Sequence, residues 1–248
     1  MKKNIIKSHE YAFHEYLVNR FPDFTNEIIN VLLEEKNDVF LFSGIIRDYF
    51  LHRDKKLDFD VRDLDIVVLD INKFKKTIEN KIKHKKNSFG GLKLYFNEIT
   101  IDVWQTNLTW GLNTITKINN NNNIINILPE TVFFNCSSIL FDFQSKTFIE
   151  DNNNHFQSFI ESKILDIVLE ENPLPELCIL NTIHYTNKYN LKVSEKLAYY
   201  VTSTFPKINK NRLMQIQKNH FNKIIYEINQ LQREVEKLIT KKNNQLLK

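Results

Sequence analysis

Leu41–Leu51 reads LFSGIIRDYFL and Asp63–Asp70 reads DLDIVVLD, and together these two stretches decide the fold. The first joins an apolar strand-like run to a helix-like run through Ser43-Gly44. Only four glycines occur in the chain, so one at a strand-to-helix turn needs a reason. A small-residue turn leaves backbone N–H groups free at the helix N-terminus, a ready site for phosphate. The second stretch sets Asp63 and Asp65 two apart at the mouth of an apolar strand, so both side chains project from one face.

Outward from these, Ser8–Arg20 and Thr25–Lys36 carry apolar residues at helical spacing. Asp38–Gly44 reads as a short strand and Ile45–His52 opens a helix. Asn72–Lys86 reads as a basic helix. Gly90-Gly91 turns the chain into strands Leu92–Phe96 and Ile99–Thr106, joined by a tight Asn97-Glu98 turn. Asn119–Asn123 is a polar loop, and Ser137–Asp151 is a closing hairpin. After Asp151 the pattern is helical to the end. Pro175–Asn190 and Ser194–Ser203 are amphipathic, the latter with Ser194 as N-cap. From Asn211 a long helix presents Phe221, Ile224, Ile228, Leu231, Val235 and Leu238 at heptad spacing. That stripe calls for burial, by folding back on the preceding helices or by weak homodimerisation; folding back is expected.

The expected fold is therefore α+β. A head with a mixed or antiparallel sheet spans residues 1–151, and an all-helical neck and tail spans residues 152–248. With 248 residues, 42% hydrophobic and 26% charged, the chain can bury a proper core and is not of disordered composition. No apolar run approaches a membrane span and the start lacks a signal-peptide core, so a cytoplasmic protein is expected. Cys136 and Cys178 lack the paired spacing of a zinc site; reduced thiols are expected, with one disulfide as the alternative. A net charge of +4 permits a polyanionic partner without requiring one.

Two neighbouring anions repel unless a cation or strong donors lie between them. Mg²⁺ suits Asp63 and Asp65, because it binds oxygen and bridges carboxylates to phosphates. Asp102 lies inside the apolar strand ITIDVW, where an unpaired charge is costly. Three carboxylates on neighbouring strands match a two-metal phosphoryl-transfer site. The plain alternatives are a solvated strand edge for Asp63 and Asp65, and a buried partner for Arg47 or Arg62 at Asp102. Asp58 and Asp60 form a rival pair with no apolar strand behind them.

In this order, SGIIRDYFL followed by DLDIVV resembles the Gly-Gly-x-Val-Arg-Asp and Asp-x-Asp signatures of the class II tRNA CCA-adding enzyme and bacterial poly(A) polymerase family, within the nucleotidyltransferase superfamily. FFNCSSILFD (Phe133–Asp142) is similar to the family's Asp-Phe-Thr-x-Asn-Ala segment, and Leu177–Ser194 to its neck helix. The resemblance covers about residues 38–203. It implies a polymerase β-like head and two Mg²⁺ ions held by Asp63, Asp65 and Asp102. It also implies a nucleoside triphosphate held by Ser43, Gly44, Arg47, Asp48 and Asn135, and an RNA acceptor such as tRNA. The departures fall in the neck, where Leu174 and Pro175 replace acids and Cys178, Asn181 and His184 stand where arginines are expected. Of these, Asn181 and His184 keep donors for a base or phosphate. Ordered C, C, A addition is therefore not expected. A protein acceptor, as in toxin-like relatives, and a non-catalytic nucleotide- or RNA-binding protein are the alternatives. The lysines of Lys73–Lys86 offer an RNA contact or a merely solvated face.

Overall fold

The computed structural model describes residues 4–42, 44–52, 61, 63–79, 81–87, 90–97, 99–115 and 124–245. Ser43, Asp58, Asp60, Arg62, Glu98 and the Asn119–Asn123 loop lie outside the described residues.

The chain divides into two compact units. The first comprises residues 1–132 and 136–160, the second residues 133–135 and 161–248. In the first unit, α1 (Glu10–Arg20) runs into a π-helical turn, Phe24–Ile29, and then α2 (Asn30–Glu34). Strand β1 (Val39–Phe42) leads into α3 (Gly44–His52), and β2 (Asp63–Val68) into α4 (Ile71–Ile78). Next come β3 (Lys83–Lys86), β4 (Leu92–Phe96), β5 (Ile99–Gln105), and the one-turn helices α5 (Leu112–Ile115) and α6 (Ile124–Ile127). The hairpin β6 (Ile139–Asp142) and β7 (Thr147–Glu150) precedes α7 (His155–Ser162). The seven strands form one mixed sheet in the order β3-β4-β5-β2-β1-β6-β7. Within this sheet, among the described residues, β2 and β5 pair in parallel and the other neighbouring strands pair antiparallel.

Register sorts the side chains onto two faces. Phe141, Leu41, Ile66 and Val103 share one, each being opposite the next across the strands, and all are buried. Phe13 from α1 packs edge-on against Phe141 at 5.0 Å, and Phe50 from α3 meets Phe148 at 5.5 Å. That aromatic layer is the core of the unit. The other face holds Phe42, Asp65, Asp102 and Lys93 in a single row.

The basic segment is a helix only as far as Ile78. Asp70 caps α4 by accepting from the Asn72 and Lys73 N–H groups at 2.9 and 3.0 Å, and Phe74 and Ile78 supply its buried face. Beyond it, Lys83–Lys86 pairs with β4 as an edge strand rather than extending the helix. Lysines on an edge strand discourage further pairing, so the composition that suggests a solvated helix also suits an edge. Gly90-Gly91 is obligatory at the following turn. Gly90 has φ +84°, and a Cβ on Gly91 would lie 2.3 Å from the Val103 carbonyl oxygen.

The second unit is not wholly helical. Ile164–Leu165 (β8) and Lys192–Val193 (β9) make a small parallel pair, and Phe134 bridges Ile167. Between them runs α8 (Pro175–Tyr189), ended by Asn190 at φ +52°. Then come α9 (Glu195–Thr204), capped as expected by Ser194 on the Leu197 N–H, and α10 (Lys210–Phe221). The last helix, α11, covers Ile228–Gln245.

The long C-terminal helix of the sequence reading is thus two helices, broken at Asn222 with φ +57°. Gln217 explains the break. It is fully buried, its Oε1 accepts from the Ile225 and Tyr226 N–H groups at 2.9 and 2.7 Å, and its Nε2 donates to the Tyr226 carbonyl at 2.9 Å. The apolar stripe folds back within the chain: α11 packs on α9, burying Leu231 and Val235, while Ile224 in the connecting turn is 37% exposed. Replacing Gln217 by Ala orphans three loop groups, each worth about 1 kcal/mol when bonded and more when buried unpaired. Gln217→Ala should therefore cost roughly 2–3 kcal/mol, and limited proteolysis should cut first at residues 222–227. Unchanged urea stability would show that α11 docks without this clamp.

Candidate active site

The site is built where β1 ends, β2 begins and β5 passes alongside. Because β2 and β5 run parallel, Asp65 stands directly beside Asp102, and Asp63 lies beside Thr100 on the same face. Asp65 is also opposite Phe42, the last residue of β1, and α3 starts at Gly44 just beyond it. All three carboxylates are partly solvent-accessible, flanked along their strands by the buried Leu64, Ile66, Ile101 and Val103. Alternation thus presents polar groups on one side and seals the other. The rings of Phe42 and Trp104 meet at 5.7 Å beside them.

Gly44 answers the question raised by its rarity. Among the described residues, a Cβ there would meet nothing closer than Asp65 Oδ2, at 3.9 Å, and its backbone φ is not in the left-handed region. Neither strain nor a clash with a described residue demands a glycine. What the glycine leaves is space between the first turn of α3 and the Asp65 carboxylate, at the end of a helix whose dipole favours anions.

Charge at Asp102 is already balanced. Lys93, directly opposite on β4, places Nζ 2.6 Å from Asp102 Oδ2. Among the described residues its partner is Lys93 rather than Arg47, which pairs with Asp48. Among the described residues, no three His, Cys, Asp or Glu side chains gather around one ion-sized point. The donor set is nevertheless right in kind for Mg²⁺: hard carboxylate oxygens on one face, one of them already holding a cation.

Arg47 and Asp48 sit differently from the expected phosphate contacts. Helix α3 is buried nearly all round, and Arg47 Nε donates to Asp48 Oδ1 at 3.1 Å, both side chains about nine-tenths buried. Beside them, burial pushes the Cys136 thiol pKa up, partly offset by the Arg47 charge. Both cysteines are free thiols, buried, so the disulfide alternative does not hold.

Ser138, Asp151 and His155 bring the residue types of a hydrolytic triad together in the wrong order. The aspartate is central, accepting from Ser138 Oγ at 2.6 Å and from His155 Nδ1 at 2.8 Å, so no base faces the serine. Burial raises the Asp151 pKa, but these bonds and the Asn153 N–H outweigh it and leave it lowered. The cluster caps α7.

In the second unit, both ends of the Asn135 side chain are engaged locally. Its Nδ2 donates to the Ile164 carbonyl at 2.9 Å and its Oδ1 accepts from the Asp166 N–H at 3.0 Å. It clamps the chain beside β8 rather than presenting a free amide. Cys178 is buried on α8, and His184 packs against the Phe221 ring at 5.1 Å. Asn181 Oδ1 and Glu176 Oε2 are buried without a hydrogen-bond partner. The other Glu176 oxygen accepts from Arg212 Nε at 3.2 Å, a pairing that sequence periodicity does not reveal.

No family model and no curated protein sequence matches the chain. Solved structures do. A CCA-adding enzyme with ATP superposes at TM-score 0.64 and 16% identity over 90% of this chain and 54% of its own. A tRNA nucleotidyltransferase complexed with a primer tRNA and an incoming ATP analog gives 0.59 and 13%, over 86% and 59%. The Thermotoga maritima CCA-adding enzyme complexed with tRNA_CCA gives 0.58 and 14%, over 84% and 48%. This chain thus spans about half the length of the solved chains it matches. At these identities the likeness establishes the fold, a mixed seven-stranded sheet followed by helices as in the head and neck of CCA-adding enzymes. Among the described residues, no helix is long and apolar enough to cross a membrane.

Proposed function

We propose that this chain, folded like the head and neck of CCA-adding enzymes, is a Mg²⁺-dependent nucleotidyltransferase that moves a nucleoside monophosphate from a triphosphate to the 3′-hydroxyl of an RNA. The observation that carries the reading is the register of Asp65 beside Asp102, with Asp63 on the same face and the start of α3 adjoining. Asp63, Asp65 and Asp102 would hold two Mg²⁺ ions, which when bound stabilise charge on the attacking and leaving oxygens. The first turn of α3, with Gly44 and Ser43, receives the triphosphate. The acceptor hydroxyl gives its proton to Asp102 as its oxygen bonds the α-phosphorus. The bond from that phosphorus to the bridging oxygen breaks, and pyrophosphate leaves. Arg47 and Asp48 act as positioning residues that fix α3.

One observation favours a second reading, a nucleotide- or RNA-binding protein without catalysis: Lys93 already neutralises Asp102. Transfer requires that this ammonium move aside or turn toward the triphosphate.

Base choice follows from α8, the helix on which the resemblance puts base reading. It has no arginine, Cys178 is buried and His184 is packed on Phe221. One base is read by hydrogen bonding only if Asn181, whose Oδ1 is buried and unpaired, or His184 turns to it; otherwise shape and stacking separate ligands by about 1–3 kcal/mol. Competition among the four ribonucleoside triphosphates should therefore show use of several, with preferences of roughly 10–200-fold. Ordered C, C, A addition to a truncated tRNA would sink this part of the reading. Absence of incorporation with tight triphosphate binding would favour the non-catalytic one.

A further inference from the structure

The half of the sheet beyond the carboxylates carries cations that the transfer chemistry does not use. Register places Lys85 opposite Lys93, which is opposite Asp102, which is beside Asp65. A second row runs from Lys83 to Tyr95 to Thr100 to Asp63. All these side chains project from one face, because directly paired residues share a side. Lys83 and Lys85 are exposed, Tyr95 is 37% exposed, and Lys85 Nζ stands 5.2 Å from the Tyr95 ring centroid. At about 4.8 Å per strand, Lys85 lies roughly 14 Å across the sheet from Asp65.

We propose that this face of β3 and β4 binds the single-stranded 3′ end of the RNA acceptor and leads its terminal hydroxyl toward Asp63, Asp65 and Asp102. The proposal rests on the nucleotidyl-transfer reading above and assigns its acceptor a surface. The charge pattern is specific to a polyanion. Two exposed ammoniums in line with the carboxylates offset backbone phosphates, whereas a protein hydroxyl brings no repeating charge for them to meet. Carboxylates alone would repel an approaching nucleic acid, so the cations must come before them along its path. Tyr95 adds a ring on which a base can stack without regard to sequence. Lys83 and Lys85 point this way because the segment is a strand; on a helix, residues two apart would diverge.

The test is binding, not turnover. Fluorescence anisotropy is followed with a labelled single-stranded RNA of about 12 nucleotides, within the usual site size, in EDTA and without triphosphate. The full chain should bind, and Lys83→Gln with Lys85→Gln should weaken binding roughly tenfold and lower the slope of log K against log salt by about 1.4. Tyr95→Ala should weaken binding with the slope unchanged, and Lys76→Gln, exposed on α4, should change neither. Equal affinity and slope in the double variant, with unaltered melting, would overturn the proposal, as would failure of the full chain to bind. RNA binding through these lysines by a chain that transfers no nucleotide would uphold the surface and defeat the catalytic reading. Transfer to a protein hydroxyl by a chain that ignores RNA would defeat both the surface and the RNA acceptor, and leave only the transfer chemistry standing.

Discussion

Asp63→Asn or Asp65→Asn should abolish nucleotidyl transfer, with losses of at least about 10³-fold, while the fold stays intact. Removing a single oxyanion-stabilising donor costs about 10²–10³, and a metal ligand serves both the attacking and the leaving oxygen. Asn nearly matches Asp in size, so packing along β2 should hold in both variants. Circular dichroism melts beside single-turnover rates separate these effects. Full activity in both variants would exclude the carboxylates, and the Asp58 and Asp60 pair would then be the next candidate. Lys93→Met offers a complementary reading. If the ammonium merely neutralises Asp102, this variant should keep or gain activity; if it meets the triphosphate, activity should fall.

The second large effect is on stability. Arg47→Ala should cost about 1.5–3 kcal/mol, because it removes a buried charge-assisted hydrogen bond to Asp48. Restoring balance by removing both charges, as in Arg47→Met with Asp48→Leu, should recover most of that loss, since a buried ion pair and a packed apolar pair are often close in energy. Urea denaturation of the single and double variants gives the coupling directly. A loss below about 1 kcal/mol in Arg47→Ala would mean that the pair is solvated and that Arg47 is available to a ligand after all.

What the sequence made legible follows from where local signals and tertiary structure agree. Strand β1 is a short apolar run, β2, β4 and β5 mix alternation with apolar residues between turn signals, and Gly90-Gly91 marks a turn that the backbone requires. The Asp-x-Asp spacing alone put two carboxylates on one face. What it could not supply was register: Asp102 beside Asp65, and Lys93 across from it, are long-range pairings. Lys83–Lys86 misled because lysine suits a helix surface and an edge strand alike, and only pairing with β4 decides between them. At the C-terminus the heptad stripe ran straight through Asn222, and the buried Gln217 that holds the turn has no signature in periodicity. The engaged amide of Asn135 and the buried Arg47–Asp48 pair show the same limit at the candidate site. A motif proposes which residues matter but not whether they face a ligand or each other.

The most direct measurement of the central claim uses two preparations of ATP, one labelled at the α-phosphate and one at the γ-phosphate. Each is incubated with the chain, Mg²⁺ and RNA bearing a free 3′-hydroxyl. The account predicts α-label in the RNA, γ-label only in pyrophosphate, and neither when Mg²⁺ is chelated. Transfer of the γ-label, or no α-label in RNA at any Mg²⁺ concentration, would contradict it.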